Sequence, residues 1–136
     1  MTNSAFIADF VAEFPCLQVV LFGGIYQSIS QCVVGPFVAQ TAANYHVKYL
    51  FIGTDGWTAE TGFSNKDQLR AQAVRDMARS ADCLAILTES EKFCRPGTVP
   101  LNVPDQPKLV ITDKNIPSGC KQQLERDGIE VLLANS

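Results

Sequence analysis

Three segments decide the fold: Tyr49-Leu50-Phe51-Ile52-Gly53, then Asp67 through Ala81, then Cys83-Leu84-Ala85-Ile86-Leu87. The first and third are short apolar runs closed by glycine or polar residues, the pattern of strands buried on both faces. Between them Leu69, Ala73, Val74, Met77 and Ala81 recur at helical steps among arginines and acids, which predicts an amphipathic helix. Strand, helix and strand in that order form the unit of a parallel sheet. Outward from this unit the alternation continues. Ser4 is a cap for a helix over Ala5–Phe14, which Pro15 closes, and Leu17–Phe22 reads as a buried strand stopped by Gly23-Gly24. A shorter strand is expected over Ser28–Val34 and a helix over Phe37–Tyr45, after Gly35-Pro36. Lys108–Thr112 and Ile129–Leu133 supply further strands around a helix at Ser118–Arg126 that Gly128 ends. The expectation is an α/β domain with a mainly parallel sheet covered by helices on both faces. Arg95–Pro107, with four prolines, is an irregular excursion with one edge strand at Val99–Val103.

At 136 residues the chain has room for one core. Hydrophobic residues make up 46% and charged residues 18%, which excludes a charged disordered segment, and no uncharged run is free of proline and glycine for long enough to span a membrane. A net charge of −3 lacks the basic stripe that direct DNA binding requires. The five cysteines are an odd number at wide spacings with a single histidine, which argues against a zinc site and against a disulfide framework. No cofactor is implied. The first residues lack a signal peptide's positive n-region, and the expected setting is a reducing cytoplasm.

In an open parallel sheet ligands bind beyond the carboxyl ends of the strands. Gly23-Gly24, Gly53-Thr54-Asp55-Gly56, Thr88–Lys92 and Thr112-Asp113 occupy such places. Glycine there lets backbone N–H groups approach a phosphate or carboxylate, and Lys92 adds a positive charge. Each feature also has a plain structural reading: a turn for Gly-Gly, a cap for Asp55, a solvated lysine for Lys92, a helix-dipole partner for His46. Trp57 either walls a pocket or covers the end of the sheet.

Leu21-Phe22-Gly23-Gly24-x-Tyr26, Val34-Gly35-Pro36, Phe51-Ile52-Gly53-Thr54-Asp55-Gly56 with Thr61-Gly62-Phe63, Thr88-Glu89-Ser90-Glu91-Lys92-Phe93 and Ile111-Thr112-Asp113 together resemble the sensor domain of the DeoR family of bacterial transcription regulators, in order along nearly the whole chain. The resemblance implies the fold shared by ribose-5-phosphate isomerase, glucosamine-6-phosphate deaminase and CoA transferases. It implies a phosphorylated sugar as effector, a homo-oligomer, and DNA contact only through a separate winged helix-turn-helix that this sequence lacks. Family sensors begin with a helix and a strand leading to an Asp-x-Gly-Ser-Thr loop, whereas Thr2-Asn3-Ser4 matches the end of the next strand, so residues 1–136 are expected to be a partial effector-sensing domain. Carried over by position, the effector cleft is lined by Thr2, Asn3, Ser4, Gly23, Gly24, Gly35, Asp55, Gly56 and Lys92, with a phosphate at the start of the first helix, sugar hydroxyls on Asp55 and an anion on Lys92. This sequence departs from the family at Arg70, often Glu, at Val74, often Lys, and at Ser90-Glu91, often Ser-Ser; Arg70 is read as a surface residue or as a partner for an acidic effector. Two alternatives to a sensor stand beside it. One is a sugar-phosphate isomerase or deaminase, for which Asp55 and Lys92 supply only two of the needed groups. The other is an oligomerisation module that binds nothing.

Overall fold

The computed structural model describes residues 1–135. At its centre is a four-stranded parallel sheet of β3 (Val47–Ile52), β6 (Ala81–Leu87), β8 (Leu109–Asp113) and β9 (Glu130–Ala134), in that spatial order. Helix α3 (Gln68–Ala78) connects β3 to β6 and helix α4 (Ser118–Arg126) connects β8 to β9. Every crossover steps to the same side, and the right hand of such units then puts both helices on one face. The register agrees. Leu50 pairs with Leu84, Ile52 with Ile86, Ile86 with Val110 and Val110 with Val131. This row packs with Ala71 and Val74 of α3 and Cys120 and Leu124 of α4 into the larger core. The other row, through Tyr49, Phe51, Leu87 and Leu132, is 45–52% exposed. Helices on both faces were expected, and the sequential strand order is the reason only one face has them.

Two small antiparallel sheets complete the chain. The strand expected over Ser28–Val34 is a hairpin of β1 (Ile25–Gln27) and β2 (Cys32–Val34), turning at residues 28–31 with Gln31 at φ 53°. The Gly56–Asn65 stretch, to which the sequence reading assigned no strand, forms β4 (Gly56–Thr58) and β5 (Gly62–Asn65), which pair with each other, and β5 also pairs with β7 (Val99–Pro100), the expected edge strand cut to two residues. Trp57 lines a hollow of about 240 Å³ with Phe63, Leu84 and Leu101, apart from the cavity beside β3. It is buried, 6.3 Å from the Phe63 ring and 5.7 Å from that of Phe93.

The remaining helices are α1 (Ala5–Val11) and α2 (Pro36–Ala42). Ser4 caps α1 by accepting from the Ile7 N–H at 3.2 Å, as its hydroxyl suggested. The helix is shorter than expected because Ala12, Glu13 and Phe14 donate three residues back, a tightened turn that unwinds it before Pro15. Leu17–Phe22 is not a strand. A strand needs a partner along its length, and this segment has only one bridge, Leu21 beside Thr2, where the Thr2 N–H donates to Val20 and Phe22 donates back to Thr2, both at 2.9 Å.

A second core gathers Phe22, Val33, Val34, Val38 and Ala42 around Ala73 and Met77 of α3. Helix α3 thus joins the two cores, with Ala71 and Val74 on one side and Ala73 and Met77 on the other. Leu69, expected on the buried face, is exposed, because at 3.6 residues per turn it falls outside the arc of α3 that carries Ala71, Ala73, Val74 and Met77.

Candidate functional site

A cavity of about 630 Å³ opens between the free edge of β3 and the Met1–Ser4 segment. Its floor is apolar, with Phe22, Leu50, Ile52, Val74 and Met77. Its rim, at the carboxyl end of β3, is polar and includes Ser4, Thr54, Asp55, Asn65 and Arg70. Among the described residues of this lining, Arg70 is the one cationic side chain and Asp55 the one carboxylate.

Local chemistry fixes that rim. The Asp67 carboxylate, just ahead of α3, accepts from the Arg70 N–H at 2.8 Å and caps the helix. It also faces the Gln27 amide of β1 at 3.4 Å, so it stitches the hairpin to α3. The Arg70 N–H is the main reason its carboxyl is held below the usual range, with help from Gln27 and against a smaller burial effect. The cap sets Arg70 in the first turn of α3, and its Nη2 donates to Asp55 Oδ2 at 3.1 Å. The same oxygen accepts from the Lys66 N–H at 2.8 Å. The ion pair is three-quarters buried on the Asp55 side and 70% buried on the Arg70 side. Thr54 turns its hydroxyl inward to the carbonyls of Gly56 and Ser64, at 3.0 and 2.9 Å, and so pins the loop that presents Asp55.

Of the nine residues carried over from the family pattern, Thr2, Asn3, Ser4 and Asp55 line the cavity. Gly23, Gly24, Gly35, Gly56 and Lys92 lie outside its lining. Several of these glycines answer to the fold. A Cβ on Gly24 would meet the Val34 carbonyl at 2.6 Å, and one on Gly56 the Arg95 carbonyl at 2.3 Å, so both are places where two backbones touch. Gly35 precedes α2 at φ 100°. Lys92 ends a single 3₁₀ turn, Ser90–Lys92, and its nearest carboxylate is Glu91 at 3.7 Å. Asp113, after β8, secures that turn by accepting from the Ser90 N–H at 2.7 Å and also accepts from Asn115 at 2.9 Å; these bonds hold its carboxyl below the usual range.

Several of the backbone donors expected for phosphate near Asn3-Ser4 already have partners: the Ser4 N–H donates to the Thr2 hydroxyl at 3.0 Å, Ala5 to the Gln31 carbonyl at 2.8 Å and Ile7 to the Ser4 hydroxyl at 3.2 Å, while the Asn3 side-chain amide donates to the Val33 carbonyl at 3.1 Å. Arg70 is the residue that sequence reasoning underrated. Its signal was the departure from the family pattern, and only the packing of α3 beside β3 brings it to the rim. His46 lies beyond the end of α2 and meets Asp82 at 2.8 Å instead of the helix dipole. Among the described residues no cluster of three or more His, Cys, Asp or Glu is arranged to hold a metal, and no helix is long and apolar enough to cross a membrane.

The fold and the rim define an α/β module with a hollow at the carboxyl end of a strand. The family model described as the DeoR C terminal sensor domain matches residues 1–114, so the chain belongs to that family, a family of sensors rather than enzymes. It is similar to a protein named "Putative aga operon transcriptional repressor" of Escherichia coli O157:H7, 29% identical over 133 residues, covering 98% of this chain and 49% of that protein. It is also similar to the HTH-type transcriptional repressor CsqR of Escherichia coli K12, 23% identical over 98% of this chain and 51% of the relative. The HTH-type transcriptional regulator UlaR of Shigella dysenteriae is 27% identical, with 97% and 52% covered. The chain spans about half the length of these curated relatives.

Proposed function

We propose that this chain is the effector-sensing part of a DeoR-type transcription regulator, of the repressor kind named among its relatives, and that it binds a phosphorylated sugar in the β3 cavity. The observation that carries this reading is a hollow of about 630 Å³ with an apolar floor and one guanidinium–carboxylate pair at its rim. A sugar phosphate offers matching chemistry. Arg70, a planar fork of donors, suits a phosphate dianion, and Asp55 accepts from sugar hydroxyls. Binding exchanges the Arg70–Asp55 contact for ligand contacts, and a ligand that prefers one arrangement by about 1–3 kcal/mol alters a coupled equilibrium roughly 5- to 150-fold. DNA is read by a helix-turn-helix module of the kind the relatives' names describe, and occupancy of the sensor biases the arrangement of such modules in a cytoplasmic homo-oligomer. The exposed Phe6 and Phe10 of α1, Phe14 just beyond it and Ile29 at the hairpin tip support self-association.

Thermal unfolding with a panel of pentose and hexose phosphates, and the same sugars unphosphorylated, tests the reading. A ligand selective for the native state at 100 times its Kd adds about 2.7 kcal/mol of stability. The expected result is a raised Tm with at least one phosphorylated sugar, none with its free sugar, and loss of the shift in Arg70→Gln. Equal shifts in wild type and Arg70→Gln would sink the assignment of the phosphate to Arg70, and robust isomerase turnover would sink the sensor reading itself.

A further inference from the structure

Five cysteines are free, and among the described residues two meet: the Sγ atoms of Cys94 and Cys120 lie 3.1 Å apart. Cys94 is exposed and Cys120 is buried in the first turns of α4. Neither sulfur is there by slack. Phe93 anchors one side of Cys94 in the aromatic cluster with Trp57 and Phe63, and Arg95 bridges to Trp57 on the other. Cys94 itself sits at φ 61°, a left-handed conformation that suits glycine or asparagine better than cysteine. A disulfide needs sulfurs about 2.05 Å apart, so closure asks for roughly 1 Å of movement.

We propose that Cys94 and Cys120 form a reversible dithiol–disulfide pair that reacts with a hydroperoxide. The Cys94 thiolate attacks the peroxide, the O–O bond breaks, and the leaving oxygen takes a proton to become an alcohol, or water when the oxidant is hydrogen peroxide. Cys94 is then a sulfenic acid. The Cys120 sulfur attacks the Cys94 sulfur, the S–O bond breaks, and hydroxide leaves as water with the Cys120 proton. Two thiols and one hydroperoxide thus give one disulfide, one alcohol and one water. Exposure assigns the first step to Cys94. Burial, with the Cys94 contact adding to it, pushes the Cys120 thiol up to about 11 and keeps it protonated until the sulfenic acid is beside it. A cytosolic pair of this kind is a redox sensor rather than a structural brace. The bridge would pin to α4 the segment whose Arg95 backbone packs on Gly56 and Trp57, next to Asp55 at the cavity rim, making oxidant a second input to the sensor; that coupling rests on the effector reading above, whereas the thiol chemistry does not.

The full chain is treated with hydrogen peroxide, and thiols are counted under denaturing conditions. The expected result is three thiols where five stood, an intact mass lower by about 2 Da, a cross-linked pair of peptides containing Cys94 and Cys120, and recovery of all five thiols with dithiothreitol. The oxidised form should melt roughly 5–10 °C higher. Cys94→Ser should keep its thiols under the same exposure, and Cys120→Ala should leave a Cys94 sulfenic acid that dimedone traps. Five persistent thiols, a bridge to Cys16, Cys32 or Cys83, or an intermolecular dimer alone would overturn the pair. Sugar-phosphate titration of both forms separates the two claims: affinities that differ threefold or more support the second input, and equal affinities remove it. Binding by neither form counts against the effector reading, while the thiol count still decides the pair.

Discussion

Residues 47–134 and residues 1–45 are held together in different ways. In the first region a parallel sheet repeats one packing unit, with Leu84, Ile86 and Val110 buried at 0–1% exposure between strands and helices. In the second, a seven-residue helix buries none of its residues, a two-stranded hairpin turns Ile29 fully to solvent, and an extended segment is tied on by one bridge. The two meet on α3, through Ala73 and Met77 and through the Asp67–Gln27 contact. The candidate cavity lies along this seam, where the Met1–Ser4 segment faces β3. The difference teaches that the sheet carries the larger core, while the N-terminal region adds a smaller one, supplies one wall of the cavity and leaves apolar side chains of α1 and the hairpin exposed.

The comparison breaks most visibly at Leu84. Leu84→Ala empties a fully enclosed position and should cost about 2–5 kcal/mol in urea unfolding; a loss under 1 kcal/mol would mean the sheet core is not the main source of stability. Cutting the seam should cost less. Asp67→Ala removes a helix cap and the tie to Gln27, with an expected loss of about 1 kcal/mol. Because the Asp67 and Asp113 carboxyls are held below their usual value of 3.8 in the folded chain, they favour folding above that value, and their contribution fades as pH falls from about 4 through the lower folded values. Acid unfolding of Asp67→Ala should therefore show a shallower pH dependence than wild type between pH 4 and 2. The smallest effect on stability belongs to Phe10→Ser, on the half-exposed face of α1, expected within about 0.5 kcal/mol of wild type. That variant should instead lower the self-associated fraction in sedimentation velocity, and an unchanged fraction would remove α1 from any interface.

Legibility followed the same division. The α4 boundaries, Ser118–Arg126, are those read from the sequence, because helical spacing and Gly128 are local signals; Gly128 indeed sits at φ 81°, just past the helix. The strands at β3, β6, β8 and β9 were legible within two residues at every end, since a buried strand flanked by polar residues has a pattern of its own. Leu17–Phe22 carried the same apolar signal and formed no strand, because pairing depends on a distant partner that the segment's own residues do not encode. Strands β4 and β5 were missed for the converse reason: three and four residues are too few to show a period, and they exist because Ser64 and Asn65 pair with Pro100 and Val99.

The sequence alone determined the alternation of strand and helix, the family, and the clustering of polar residues after the strands, because capping, periodicity and turn chemistry act between residues close along the chain. Tertiary structure decided which of those residues share a cavity. It brought Arg70 to Asp55 across fifteen positions and Cys94 to Cys120 across twenty-six, and left Lys92 and four glycines elsewhere. Such encounters depend on where a helix lands on a sheet, which is set by the packing of whole cores rather than by the residues that meet.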